Sequence, residues 1–266
     1  MDCILPDYRL TKEKYKELWD NCIFILDTNV LFNLYRYSPK LRKGFIDILN
    51  GIADRLWIPN QVALEYYDNK STVITGEINK YKIISNIISK CPNDIKNDII
   101  KRDLSRKHTA TSEITEELLK KLDESFKIII EDLENILKKY PKIKDFEHID
   151  EMIGKLLVGR VGNPYSVEVL EEICNEGLKR YQLKLPPGYE DEKEKEGFKK
   201  FGDLILWFQI IDMAKEKKKP VILICEDLKE DWWWISSEGT IGPRPELIQE
   251  FSIKTEMLFY ILNSAI

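Results

Sequence analysis

The stretch that most constrains this chain is Cys22 to Asn29, CIFILDTN, in which an apolar run stops abruptly at an aspartate, a threonine and an asparagine. A short apolar run closed by turn-forming polar residues reads as a strand buried on both faces, as in a parallel sheet. Side chains just past the carboxyl end of such a strand face the crevice where open α/β sheets bind ligands, and Asp27 stands there. Asp, Thr and Asn are also good helix N-caps. On this stretch alone, Asp27 is either a crevice carboxylate or simply the cap of the helix that follows.

The flanking pattern extends the alternation. Thr11 to Asp20 has helical character, with Tyr15, Leu18 and Trp19 on one apolar face. VLFNLYRYS predicts a helix ending before Pro39, and Pro39 to Gly51 a second one with Leu41, Phe45, Ile48 and Leu49 on one side. RLWIP predicts a brief second strand, and NQVALEYYDNK starts a helix with Asn60 as its cap and Glu65 just beyond the first turn. Towards the carboxyl end, GDLILWFQIIDMAKEKKKP predicts a helix from Asp203 whose basic terminus suits the helix dipole. Val221 to Cys225 reads as a third buried strand, followed at once by Glu226, Asp227 and Asp231. A helix from Pro245 to Glu250 and a strand from Met257 to Leu262 complete a βαβ series, the signature of a parallel sheet.

Between about Ser71 and Arg180 the strand signal nearly vanishes. Ile114, Leu118, Leu122, Phe126, Ile129, Leu133 and Leu137 recur at helical spacing, Ile83, Ile84, Ile87 and Ile88 suggest another helix before Pro92, and Val167 to Tyr181 a third. Such helices hide their apolar faces in a hairpin or small bundle. The expected organisation is therefore one α/β domain, residues 1–70 and 185–266, carrying a helical insertion at 71–184. A chain of 266 residues with 43% hydrophobic content is long enough for that. The segment KLPPGYEDEKEKEGFKKFG, rich in Pro, Gly and charge, is expected to be an exposed loop.

Composition narrows the function. A net charge of −5 disfavours a protein that coats nucleic acid through a general positive field, but leaves room for a local groove. Five cysteines without a CxxC pair argue against a disulfide framework and a cysteine-rich zinc site, and core thiols in a reducing cytoplasm are the simpler reading. The amino terminus lacks a secretory pattern and no apolar run reaches membrane-spanning length, so no membrane partner is expected. The two histidines, His108 and His148, sit in polar helical surroundings and read as surface residues.

Four acidic residues recur at strand ends or at the starts of neighbouring helices: Asp27, Glu65, Asp203 and Asp227. In a right-handed parallel α/β sheet these places converge on one edge. Carboxylates brought that close repel each other unless a divalent cation compensates, and Mg²⁺ or Mn²⁺, hard ions that take oxygen ligands, suit such a set. The implied reaction is in-line hydrolysis of a phosphodiester, in which the cations activate water and stabilise the attacking and leaving oxygens. Each residue also has a plainer reading: Glu65 as a solvent-facing helical glutamate, Asp203 as an N-cap, Glu226 and Asp231 as surface charge. Trp232, Trp233 and Trp234 suit base stacking, yet three adjacent tryptophans cannot all face one way, so at least one belongs to the core.

The ordered motifs ILDTNVL at 25–31, IPNQVALEYY at 58–67, FGDLILW at 201–207 and CEDLKEDWWW at 225–234 resemble the PIN-domain nucleases, most closely the PIN-like branch with GDLILW and KEDWW motifs. The resemblance implies a three-layer α/β/α fold with a short parallel sheet, divalent-metal-dependent cleavage of RNA or sometimes DNA, and a four-carboxylate pocket. By position it makes Asp27, Glu65, Asp203 and Asp227 the catalytic carboxylates and metal ligands, with Thr28 and Asn29 orienting the first aspartate. Asp231 becomes an additional ligand or a support for the tryptophans. The resemblance alone also points to an endoribonuclease of single-stranded RNA in a bacterial phage-defence or toxin-like system. The segment 71–184 has no counterpart in a minimal PIN domain. It carries a basic face, Lys101, Arg102 and Arg106 with Lys96 and Lys107, which is either a phosphate-contacting surface or solvated charge. The insertion is alternatively a surface for self-association or a regulatory protein. The competing functional readings are an inactive PIN-like scaffold and a phosphatase of the haloacid dehalogenase type. The latter wants a second aspartate where Asn29 stands.

Overall fold

The computed structural model describes residues 11–102, 110–138, 146–193, 196–226, 228–237 and 239–263. By its contacts the chain forms two compact units, residues 1–70 with 149–266, and residues 71–148.

The first unit is built on helix α1 (Lys12–Asn21), strand β1 (Ile23–Leu26), helices α2 (Thr28–Arg36) and α3 (Pro39–Gly51), strand β2 (Leu56–Trp57) and the start of helix α4 (Asn60–Lys101). It continues with α6 (Glu147–Leu157), α7 (Val167–Gln182), α8 (Gly202–Lys217), β3 (Val221–Ile224), β4 (Trp233–Ser236), β5 (Gly239–Pro243), α9 (Pro245–Thr255) and β6 (Phe259–Leu262). Helix α5 (Ala110–Leu137) belongs to the second unit.

Strands β2, β1, β3 and β6 form one parallel sheet in that order. All of β1 and Val221 to Leu223 of β3 are buried, as the continuous apolar runs require of central strands covered on both faces. From β1 the chain steps to β2 on one side and later to β3 on the other. Right-handed crossovers in opposite directions put α2 and α3 on one face and α8 and α9 on the other, which gives three layers. The register pairs Leu26 with Ile224, so β1 and β3 end level. Their shared carboxyl edge is the switch point at which such sheets bind ligands. Beneath it, the fully buried Trp207 of α8 packs on Phe259 and Phe251, with ring centroids 5.0 and 5.9 Å apart.

Several elements differ from the sequence expectation. Helix α4 does not end before Pro92 but runs through it to Lys101. A proline removes one N–H bond and crowds the preceding turn, a local cost that a helix of 42 residues absorbs. Helix α6 and the antiparallel hairpin β4–β5 were not expected. The contacts also place 149–184 in the first unit, where the sequence expectation had assigned it to the insertion. The reason is a backbone bridge: Ile58 donates to Arg160 O and accepts from Gly162 N, both at 2.9 Å, which extends the β2 edge to this segment. Finally, the segment expected to be an exposed loop is one only in part: among its described residues Pro186 to Tyr189 and Asp191 are buried, and two short 3-10 turns, Tyr189–Lys193 and Gly197–Phe201, order its two ends.

In the second unit each helix half-buries one stripe: Tyr81, Ser85 and Ile88 on α4, and Leu119, Leu122, Phe126, Ile130 and Leu133 on α5. Ile83, Ile84, Ile87, Ile114 and Leu118 are exposed, so the observed stripes are rotated from the expected ones. Among the described residues Cys22, Cys91, Cys174 and Cys225 carry free thiols, and Cys22 and Cys225 are buried. No helix among the described residues is long and apolar enough to cross a membrane.

Candidate active site

Asp27 follows β1 directly. Its backbone N–H donates to Ile224 O at 2.9 Å, so the residue is tied to the end of the β1–β3 ladder. It is also the N-cap of α2, its Oδ1 accepting from Thr28 N at 2.8 Å. Both sequence readings therefore hold at once: Asp27 caps the helix and lines a cavity of about 170 Å³ at the carboxyl edge of the sheet. Asn29 Nδ2 and Cys225 Sγ each donate to Asp27 Oδ2 at 3.5 Å.

Glu65 enters from α4. Its two oxygens are held separately, Oε1 by Gln61 Nε2 at 2.7 Å and Oε2 by the Thr28 hydroxyl at 3.0 Å. Thr28 thus orients two carboxylates, Asp27 through its N–H and Glu65 through its hydroxyl. The first turn of α4 is fixed in turn by Gln209 of α8, whose Oε1 accepts from Gln61 N at 3.0 Å and satisfies one of the helix's free amino-terminal donors. Asp203 stands in the first turn of α8, where a carboxylate suits the helix dipole. Its Oδ2 accepts long bonds from Trp232 Nε1 at 3.4 Å and Lys229 Nζ at 3.5 Å.

The structure thus brings Asp27, Glu65 and Asp203 together, with Thr28 and Asn29, over a floor that includes Phe32, Leu206 and Leu223. Asp227 lies outside the described residues, as do Arg106, Lys107 and His108. Asp231 is not brought into the pocket. It is fully buried, and its Oδ2 accepts from Gly188 N at 2.7 Å and Glu190 N at 3.5 Å, so it fastens the 186–190 turn. Burial raises its pKa, against the backbone donors and Lys229, which lower it. Trp232 and Trp233 are buried and Trp234 is exposed, so the tryptophan run divides between core and surface. Lys101 and Arg102 are exposed at the end of α4 in the second unit.

Four contributors escaped sequence reasoning. Lys229 lines the pocket and pairs with Asp191 Oδ1 at 2.7 Å as well as reaching Asp203. Asp191 is 1% exposed although it lies in the charge-rich segment read as a loop. Gly202 passes so close to Glu65 that only a glycine leaves its carboxylate in place, and the one available signal was its position beside Asp203 in FGDLILW. Cys225 lines the pocket too, where a plain core thiol was expected.

As donors, the three carboxylates form an oxygen set suited to a hard divalent cation. Among the described residues no group of three or more His, Cys, Asp or Glu side chains is already arranged to hold a metal ion. Both Glu65 oxygens are engaged by Gln61 and Thr28, and Asp203 faces Lys229. The chemistry of the set fits a cation.

An acidic cavity at the switch point of a short parallel sheet, between two helical layers, defines a nuclease-type α/β scaffold. The chain belongs to the PIN like domain family, whose model matches residues 23–247, a span that includes every pocket residue from Asp27 to Trp232. Proteins of this family are generally nucleases that bind nucleic acid and typically use divalent metals. Neither the curated proteins nor the solved structures yielded a match.

Proposed function

We propose that this chain is a divalent-cation-dependent nuclease that hydrolyses phosphodiester bonds, with single-stranded RNA as its favoured substrate. The observation that supports it is one cavity lined by Asp27, Glu65 and Asp203, contributed by three different elements at the carboxyl edge of the sheet. Helix capping and the helix dipole account for Asp27 and Asp203 singly, but not for a third carboxylate, Glu65 of α4, lining the same cavity. The preference for RNA and a place in a bacterial defence or toxin-like system rest on the motif resemblance.

In this reading Asp27, Glu65 and Asp203 hold Mg²⁺ or Mn²⁺, with Asp227 as the fourth carboxylate. When bound, the cation supplies Lewis acidity towards water and towards a phosphate oxygen. The chain's own groups do the positioning. Backbone pairing to Ile224 fixes Asp27 relative to the sheet, Thr28 spaces Asp27 from Glu65, and Lys229 presents a positive charge to the phosphate at the mouth of the pocket.

The test is to incubate the protein with labelled single-stranded RNA, single-stranded DNA and duplexes, in Mn²⁺, Mg²⁺ or EDTA, beside Asp27→Asn and Asp203→Asn. Cleavage is expected with either cation and none in EDTA. Each variant should lose at least about tenfold, the lower end of what even outer partners of metal ligands cost. Cation-dependent cleavage at full rate in both variants would reject this site. If wild type neither cleaves nor gains thermal stability with millimolar Mn²⁺, the chain is a PIN-like scaffold without this chemistry.

A further inference from the structure

A second cavity, of about 480 Å³, opens beside the acid pocket, and the two share Glu65 and Asn69 as wall residues. These residues lie one turn apart on α4, and Asn69 Nδ2 donates to Glu65 O at 2.9 Å, so the dividing wall is a single helix edge. Groups held in the two cavities would both touch this Glu65–Asn69 wall.

The walls of the second cavity differ in kind from those of the first. Phe198, in the turn that precedes α8, and Leu64 of α4 are each 55% exposed, an apolar pair the fold leaves uncovered. Opposite chemistry stands at the rim. Lys199 reaches Asp68 at 3.7 Å with the two side chains 75% and 62% exposed, a pair too long and too wet to hold the ammonium against a better anion. Tyr165 is fixed in the wall by donating its hydroxyl to Asp212 Oδ2 at 2.7 Å.

We propose that this cavity receives an unpaired base of a single-stranded nucleic acid, the one adjoining the phosphate that enters the acid pocket. The inference rests on the nuclease reading above and specifies its substrate. Phe198 offers a face on which any base stacks, and such stacking is sequence-tolerant. Asn69 and Gln61, whose amide nitrogens hold Glu65, present their amide oxygens as acceptors for a base, and Lys199 meets the next phosphate. A cavity of this size suits a base with its sugar. The occupant is neutral where the wall is acidic: Glu65 and Asp68 would repel an acidic peptide, whereas a base brings its charge only to the rim. A duplex is excluded because its base faces are covered by stacked neighbours and its pairing edges are occupied.

The test measures binding of labelled single-stranded RNA, single-stranded DNA and duplex to the full chain in Mg²⁺, with Asp27→Asn throughout to prevent cleavage. Phe198→Ala is expected to weaken single-strand binding about tenfold, Phe198→Trp to restore it, and duplex binding to stay unchanged. The RNA and DNA arms show which sugar the cavity accepts. Because Phe198 is largely exposed, Phe198→Ala and Phe198→Trp made in the otherwise wild-type chain should melt with wild type and keep its Mn²⁺-induced rise in melting temperature. If Phe198→Ala binds single strands as tightly as its parent, or loses single strand and duplex equally, the base cavity is rejected while the nuclease reading stands. If wild type neither binds nor cleaves any strand, the nuclease reading falls and takes this inference with it.

Discussion

A Cβ on Gly202 would stand 2.7 Å from Glu65 Oε1 and 3.2 Å from Gln61 Nε2. Both are far ends of flexible side chains, so the fold can yield at small cost while the carboxylate cannot stay where it is. Gly202→Ala should therefore separate activity from stability. We expect a melting temperature within a few degrees of wild type and cleavage reduced at least about tenfold, measured on one preparation. Asp27 and Asp231 make the converse pair. Asn caps a helix about as well as Asp, so Asp27→Asn should keep the fold and lose the Mn²⁺-induced rise in melting temperature. Asp231→Ala strips the acceptor from Gly188 N in a buried place, at a cost of about 1.5–3 kcal/mol, and should lower the melting temperature while leaving the Mn²⁺ response in place. Equal Mn²⁺ responses in the two variants would overturn this division of roles. The sequence made Asp27 legible because a strand end is a local pattern. It misplaced Asp231 because the bond to Gly188 joins residues that spacing cannot relate.

At the scale of elements, α7, α8 and α9 are joined through one carboxylate. Glu250 of α9 accepts from Arg180 of α7 through two bonds of 2.8 and 2.7 Å, from Trp207 of α8 at 2.9 Å and from Lys254 at 2.8 Å. Arg180 also donates to Pro186 O, which brings the turn beside the acid pocket into the same network. Burial opposes ionisation of Glu250, but its donors outweigh that and hold its pKa down to about 2 from 4.5. A depressed carboxylate contributes stability that is complete above the unfolded value and is lost as pH falls through the folded one. The loss should thus run from about pH 4.5 down to about pH 2. It amounts to about 3 kcal/mol, within the usual range for breaking a buried pair. In Glu250→Gln, denaturant melts at pH 7 should already show most of this loss, and the slope of stability with pH over that window should flatten. An unchanged slope would mean that other acids set it. Elements of this kind were legible where periodicity was local and ends were punctuated: α3 runs from Pro39 to Gly51 as its proline and glycine predict. The β4–β5 hairpin was hidden because Gly and Pro within GTIGP argue against a strand, and an edge hairpin tolerates both.

At the scale of the whole molecule, the alternation of elements made the parallel sheet and its acidic edge legible, while the boundary near residue 148 was not. Helical periodicity is the same on both sides of it, and it takes tertiary bonds, the bridge from Ile58 to the 160–162 backbone among them, to tell α6 and α7 apart from the insertion. The first unit closes on itself where the insertion leaves and returns. Lys70 Nζ meets Asp150 Oδ2 at 3.0 Å, and Asp150 Oδ1 accepts from the Tyr66 hydroxyl at 3.1 Å and from that of Tyr35. Residues 71–148 should therefore be replaceable by a Gly/Ser linker of about six residues, whose root-mean-square span is roughly 13 Å. The shortened chain is expected to melt cooperatively and to keep the Mn²⁺ response, since Asp27, Glu65 and Asp203 all remain. It should bind nucleic acid more weakly and with a flatter dependence on salt if Lys101, Arg102 and Arg106 contact phosphates, because fewer counterions are then released. Alanine at those three positions in the full chain should reproduce the flatter slope without touching the Mn²⁺ response. Wild-type affinity and slope in both proteins would make that basic stretch solvated charge, and the insertion would then be sought as a surface for a protein partner or a second copy.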